Sequence, residues 1–200
     1  MKVLVIGGTG TIGGAVVRLL SAEHEVVSVA HSSGEVRVDI ASPDSIREMF
    51  RQVGRVDAVV SAAGTGAFKP LEQLGDGDFQ FSLGNKLMGQ VNLVRLGLEH
   101  VADGGSITLT SGVLAQEPMP GSAAISLVNA GLEGFARAAA LEAPRGIRVN
   151  VVSPPWVAET LQAMGMDPSG GLPAEVVALA YHEAVTGSCT GEVLDARRFA

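Results

Sequence analysis

A β-branched run, Lys2–Ile6, breaks into Gly7-Gly8-Thr9-Gly10-Thr11-Ile12-Gly13, and helical apolar spacing at Ile12, Val16, Leu19 and Leu20 follows at once. A strand that ends in glycines at every third position and restarts as a helix constrains this chain more than any other feature. The first glycine permits a tight turn. The middle one lets a large anion reach the backbone, and the third lets the helix pack close to the strand. The new helix presents its N-terminal N–H groups and positive dipole end to the same point. In this context the loop reads as the pyrophosphate-binding turn of a dinucleotide site, carried by Gly7, Thr9, Gly10, Thr11, Ile12 and Gly13.

The remainder of the chain alternates strands with helices. Strands are predicted at Glu25–Ala30, Glu35–Asp39, Val56–Ser61, Ser106–Thr110, Ile147–Val152 and Glu192–Leu194. The predicted helices are Thr11–Ala22, one from the Ser42-Pro43-Asp44 start to Val53, Phe79–Val101, Gly121–Glu142 and Pro173–Val185. Such alternation implies right-handed crossovers and one parallel sheet covered on both faces. The expectation is a single Rossmann-type, doubly wound α/β domain over residues 1–200, with about seven strands.

Composition narrows the function. The net charge is −7 with no basic stripe, which argues against a nucleic-acid partner. Every apolar run is interrupted before the ~18–20 residues of a membrane span. The opening run enters a glycine cluster and reads as a strand, not a leader. A single cysteine, Cys189, excludes an intrachain disulfide and a cysteine-based metal site, so a reduced, cytoplasmic setting is expected.

The end of the second predicted strand decides the cofactor. An acidic residue there would bind the ribose 2′-hydroxyl of NAD. The stretch Val29-Ala30-His31-Ser32-Ser33-Gly34 carries none, and His31, Ser32 and Ser33 offer hydrogen bonds to a 2′-phosphate without repelling it. NADP(H) is therefore favoured over NAD(H), although the arginine expected for it is missing too.

Several further segments make the chain resemble the short-chain dehydrogenase/reductase family along nearly its whole length. Asp39-Ile40 matches the family's pair beside the adenine, and Ser61-Ala62-Ala63-Gly64 stands where Asn-Asn-Ala-Gly is usual. Gly104-Gly105-Ser106-Ile107 leads to Ser111 as the family strand leads to its catalytic serine. Leu132-Glu133-Gly134-Phe135, Ala140-Leu141-Glu142, Gly146–Pro154 and Thr190–Leu194 resemble the C-terminal half. The resemblance implies that Ala62, Ala63, Gly64, Pro154 and Val157 also line the cofactor. Past Val157, Glu159 stands where a threonine is usual, with Thr160 one further on.

The catalytic set implied by the resemblance is Asn, Ser, Tyr and Lys, with the last two in Tyr-x-x-x-Lys. Counting back from Leu132 puts Ile125 and Asn129 at those two places, so the chain reads as an atypical member without the pair. The only tyrosine, Tyr181, lies on the late helix and reads as an ordinary helix residue. Gly89 sets the register that puts Lys86, not Asn85, at the family's asparagine. The expected site is thus Lys86, Ser111 and Asn129. Ser111 would bond a substrate carbonyl, Lys86 would stabilise or protonate the alkoxide, and Asn129 would orient a ribose hydroxyl or a water.

The reading is an NADP(H) oxidoreductase acting on a small carbonyl or alcohol. A catalytically dead or regulatory binding module, and a lyase or isomerase on the same scaffold, stay open. A homodimer or tetramer is expected through the two long helices and their small residues Gly89, Ala123, Ala130, Gly131, Gly134 and Ala138. Ala158–Leu172 reads as a short flexible lid, and Trp156 and Phe68 suggest a nonpolar small molecule as substrate.

Overall fold

The computed structural model describes residues 1–34 and 36–200. It is one α/β domain around a six-stranded sheet of order β2-β1-β3-β4-β5-β6 in which every pairing is parallel. The strands are β1 (Lys2–Ile6), β2 (Glu25–Val29), β3 (Val56–Ser61), β4 (Val101–Thr110), β5 (Arg148–Ser153) and β6 (Val193–Asp195). The helices are α1 (Thr11–Leu20), α2 (Pro43–Val53), α3 (Asp76–Ser82), α4 (Met88–Gly97), α5 (Ala123–Glu142), α6 (Ala158–Ala163) and α7 (Ala174–Thr186).

β1, β3, β5 and the second half of β4 are buried on both faces, so they read as largely apolar runs. In β1, Leu4 and Ile6 face a core completed by α2, α4 and α5 through Phe50, Leu93 and Leu132. Val3 and Val5 face the opposite core, closed by α1 and α7 through Val16 and Tyr181. The strand order turns back between β1 and β3. A crevice opens there beyond the carboxyl ends of the strands, where ligands bind in open α/β sheets.

Two predicted elements change. Of the strand predicted at Glu35–Asp39, Glu35 lies outside the described residues, and no strand forms over residues 36–39. The sheet therefore has six strands and not about seven; Arg37 makes one isolated parallel bridge to Ala30. The chain is already turning into α2 there: Asp39 Oδ1 accepts the Ala41 N–H at 2.9 Å, and the Ser45 hydroxyl accepts the Asp39 N–H at 2.9 Å.

The single helix predicted over Phe79–Val101 is instead α3, a π-helical turn at Leu83–Leu87, and α4. It starts earlier because Asp78 Oδ2 accepts the Gly75 N–H at 2.8 Å. It stops at Gly97, where a Cβ would stand 2.8 Å from the Phe50 ring, and Val101 opens β4. The expected lid contains α6 and a 3-10 turn at Pro168–Gly170, tied down by a bridge from Val157 to Leu172. β4 begins at Val101, five residues before the predicted Ser106, and other boundaries move by a few residues at most. Among the described residues no helix is long and apolar enough to cross a membrane.

Candidate active site

Two pockets meet along the crevice. The first, ≈ 360 Å³, is lined by Gly7, Thr9, Gly10, His31, Ser32, Asp39, Ile40, Ala62, Ala63 and Gly64, among others. The second, ≈ 350 Å³, takes in Ile12, Lys86, Ser111, Ile125, Asn129, Pro154 and Val157. Gly64 and Thr65 line both, so the two are continuous around the loop after β3. Of the residues expected to touch a dinucleotide, Thr11, Gly13 and Ser33 line neither pocket.

The glycine loop has the shape its sequence requires. Gly7 has φ +83° and lies so close to β3 that a Cβ would meet the Ala62 carbonyl oxygen at 2.6 Å. A Cβ on Gly13 would stand 2.0 Å from the Gly7 oxygen, so its place is taken by the turn itself, not by a ligand. These contacts hold the N-terminus of α1 against the first pocket, and Gly10, the N-cap, lines it. The Asp39 carboxylate in that pocket accepts the Ala41 N–H.

The π turn places two consecutive side chains at the crevice. Asn85 Oδ1 accepts the Thr65 N–H at 2.9 Å and lines the first pocket, while Lys86 enters the second. Gly64 lets the turn come this close: a Cβ there would stand 3.1 Å from the Lys86 Cα. Gly89, the register marker, packs on Ile40, where its own Cβ would stand 3.0 Å from Cγ1.

Lys86 is 8% exposed. Its Nζ donates to the Ser111 carbonyl oxygen at 3.0 Å, and among the described residues no carboxylate pairs with it. Burial alone pulls its pKa down from 10.5 to about 8, because an ammonium loses hydration there. Asn129 Nδ2 lies 3.5 Å from the Gly112 oxygen, and its Oδ1 is buried without a partner. A buried acceptor left open beside a pocket calls for a donor from outside the chain. Lys86, Ser111, Ile125 and Asn129 line the same pocket, the grouping that the family resemblance implied.

The sequence reading missed one partner. The Ser111 hydroxyl does not stand free; it donates to Glu133 Oε1 at 3.0 Å. Glu133 follows Asn129 by four residues and Ile125 by eight, so the three form one stripe of α5. That spacing was the available signal. Tyr181 is fully buried between α7 and the sheet, bonded to the Thr110 hydroxyl at 2.6 Å, and lines neither pocket. Glu159 caps α7, its carboxylate accepting the Ala174 N–H at 3.0 Å, whereas Thr160 lines the second pocket. Phe68 and Trp156 meet edge to face at 5.8 Å across that pocket's rim.

Fold, glycine loop and crevice define a Rossmann-like α/β scaffold. A family model described as enoyl-(acyl carrier protein) reductase matches residues 12–187, and the chain belongs to this short-chain dehydrogenase/reductase family. The crystal structure of lin1944 from Listeria innocua is 42% identical, with TM-score 0.94 over 98% of both chains. A small-chain dehydrogenase solved in complex with NADPH is 27% identical, with TM-score 0.86 over 98% of this chain and 95% of that one. The hydroxynaphthalene reductase arp2 of Aspergillus fumigatus is 34% identical over 143 residues, 68% of this chain and 52% of that protein. The chain thus spans about half the length of that curated relative.

Proposed function

We propose that this chain is an NADP(H)-dependent oxidoreductase for a small, apolar carbonyl or alcohol substrate. Its site uses Lys86, Ser111 and Asn129 where other members of the family use Asn, Ser and the Tyr-x-x-x-Lys pair. The observation that carries the reading is the meeting of Lys86, Ser111 and Asn129 in a pocket continuous with the glycine-loop pocket. The NADPH complex of a 27% identical relative supports the cofactor.

The residues present fit a dinucleotide. The glycine loop and the start of α1 would hold the pyrophosphate. His31 and Ser32 would hold the 2′-phosphate, Asp39 and Ile40 the adenine, and Ala62–Gly64 the adjoining ribose. Pro154 and Val157 would flank the nicotinamide, and the open Asn129 Oδ1 would accept from a ribose hydroxyl or a water. When bound, the nicotinamide supplies or takes up a hydride.

Lys86 and Ser111 act at the substrate oxygen. The Lys86 charge, kept in a poorly hydrated wall, stabilises negative charge on that oxygen more strongly than it would in water. Ser111 supplies a hydroxyl to the same atom. Phe68, Ile125 and Trp156 favour an apolar, flat substrate, in keeping with the hydroxynaphthalene in the name of the Aspergillus relative. A second reading, a binding module without turnover, is favoured by one observation: the Lys86 ammonium and the Ser111 hydroxyl are each bonded to groups of the chain itself. NADPH consumption with a panel of aldehydes, ketones and quinones separates the two. Consumption with any of them supports the oxidoreductase, and tight NADPH binding with no consumption across the panel supports the module.

A further inference from the structure

Among the described residues, Glu133 is the one buried carboxylate, and it lies behind Ser111 of the second pocket. The residue is 3% exposed on α5. Oε1 accepts the Ser111 hydroxyl at 3.0 Å, and Oε2 accepts the amide of Gln116 from the segment after β4. The Arg137 guanidinium, largely in solvent, lies 3.8 Å from Oε2. Two charged groups face this cluster: Arg137 from the same helix, and Lys86 from the π turn through the Ser111 carbonyl. Ser111 and Gln116 are neutral. Burying a carboxylate is unfavourable, and its placement on the back of a pocket serine calls for a reason.

The geometry points to Ser111 and Glu133 as a proton relay between the solvent side of α5 and the substrate oxygen. This inference rests on the oxidoreductase reading and supplies the proton that Ile125 cannot. In reduction, the Ser111 Oγ–H bond breaks as the O–H bond of the product alcohol forms. The O–H bond of a protonated Glu133 breaks as the Ser111 hydroxyl is restored. Glu133 is left as a carboxylate and takes a proton from water by its Arg137 side. One proton passes from water to the alcohol, and Ser111 ends unchanged. Oxidation runs each transfer in reverse. Burial is the largest influence on Glu133 and lifts its pKa above 4.5 despite the three donors around it, which suits a carboxyl that must carry a proton. Ser111 touches the substrate; Glu133 acts through it and is a positioning residue.

Two measurements test the relay. Carbon-13 carboxyl NMR of glutamate-labelled protein, assigned with Glu133→Gln, follows the titration of Glu133 in the parent and in Ser111→Ala. The expected result is a midpoint above the ordinary glutamate value that rises further in Ser111→Ala, where the hydroxyl donor is lost. NADPH oxidation with menadione as the probe is then compared between the parent and Glu133→Gln, whose amide keeps volume and an acceptor for Ser111. The expected loss is at least about tenfold in kcat with KM for NADPH within about twofold, and the carboxyl limb should vanish from the pH profile. A Glu133 that titrates as an ordinary glutamate and is unmoved in Ser111→Ala overturns the relay. So does a Glu133→Gln protein with the parent's rate and pH profile. A parent protein that does not oxidise NADPH with menadione counts against the oxidoreductase reading, and the NMR titration still decides the coupling of Glu133 to Ser111.

Discussion

The ammonium of Lys86 lies 3.0 Å from the carbonyl oxygen of Ser111, buried and without a carboxylate partner among the described residues. Such a charge disfavours folding. The native pKa of Lys86 is about 8 against 10.5 for the free side chain, so between these values the unfolded state holds a proton that the native state has released. The sign follows: the penalty is absent above about pH 10.5, grows as pH falls, and is complete below about pH 8. Lys86→Met is therefore expected to be more stable than the parent at neutral pH, on the order of 1–3 kcal/mol, by thermal or urea unfolding. The gain should shrink between pH 8 and 10.5. A loss of stability at pH 7 would show that the ammonium is compensated in the fold.

Cofactor preference follows from the first pocket. His31 and Ser32 line it, and among the described residues the carboxylate in its lining, Asp39, accepts the Ala41 N–H. Isothermal titration should give tighter binding of NADPH than of NADH. Tighter NADH would place the ribose 2′-hydroxyl against a group not recognised here.

Tyr181 is the only tyrosine, and it is fully buried between α7 and the sheet, lining neither pocket. Its hydroxyl meets Thr110, which also donates to the Ser61 carbonyl oxygen. Tyr181→Phe removes one buried hydrogen bond and should cost about 1–2 kcal/mol in unfolding experiments while leaving NADPH turnover unchanged. Loss of turnover at full stability would assign Tyr181 to the reaction.

The glycine loop and the strand–helix alternation were legible in the sequence because each depends on local spacing, and the family resemblance implied that Lys86, Ser111 and Asn129 lie together. Three features were not legible. Asp39 and Ser45 turn the chain away from the sheet, and a β-branched stretch such as Val36–Val38 gives no sign of that. Leu83–Leu87 gives no sign in sequence of its π turn, from which Asn85 reaches across the crevice to accept the Thr65 N–H. Glu133 looks like a solvated helix carboxylate until α5 is laid against Ser111. Tertiary contacts decide all three.

Assembly through α4 and α5 is also expected, with some of the small residues reassigned. Gly89 packs on Ile40 and Gly131 on Leu87, so both are spent inside the protomer, whereas Gly134 meets nothing within 4 Å. Leu127 and Leu141, 48% and 89% exposed, lie on the same outer stripe of α5 as Gly134 and Ala138. Light scattering should give the mass of a dimer or tetramer, reduced to the monomer in a Leu127→Glu, Leu141→Glu double variant. A monomeric parent at micromolar concentration would refute this interface.

The most direct test of the central claim, that Lys86 serves the reaction in place of the family's usual pair, is NADPH turnover by Lys86→Met beside its NADPH affinity. Using whichever carbonyl or quinone supports turnover in the parent, kcat should fall about 100-fold or more, as when one well-placed donor to a developing oxyanion is removed. NADPH affinity should stay within about twofold, because the glycine loop holds the pyrophosphate elsewhere. Parental turnover in Lys86→Met would contradict the assignment of Lys86 and leave the cofactor site standing.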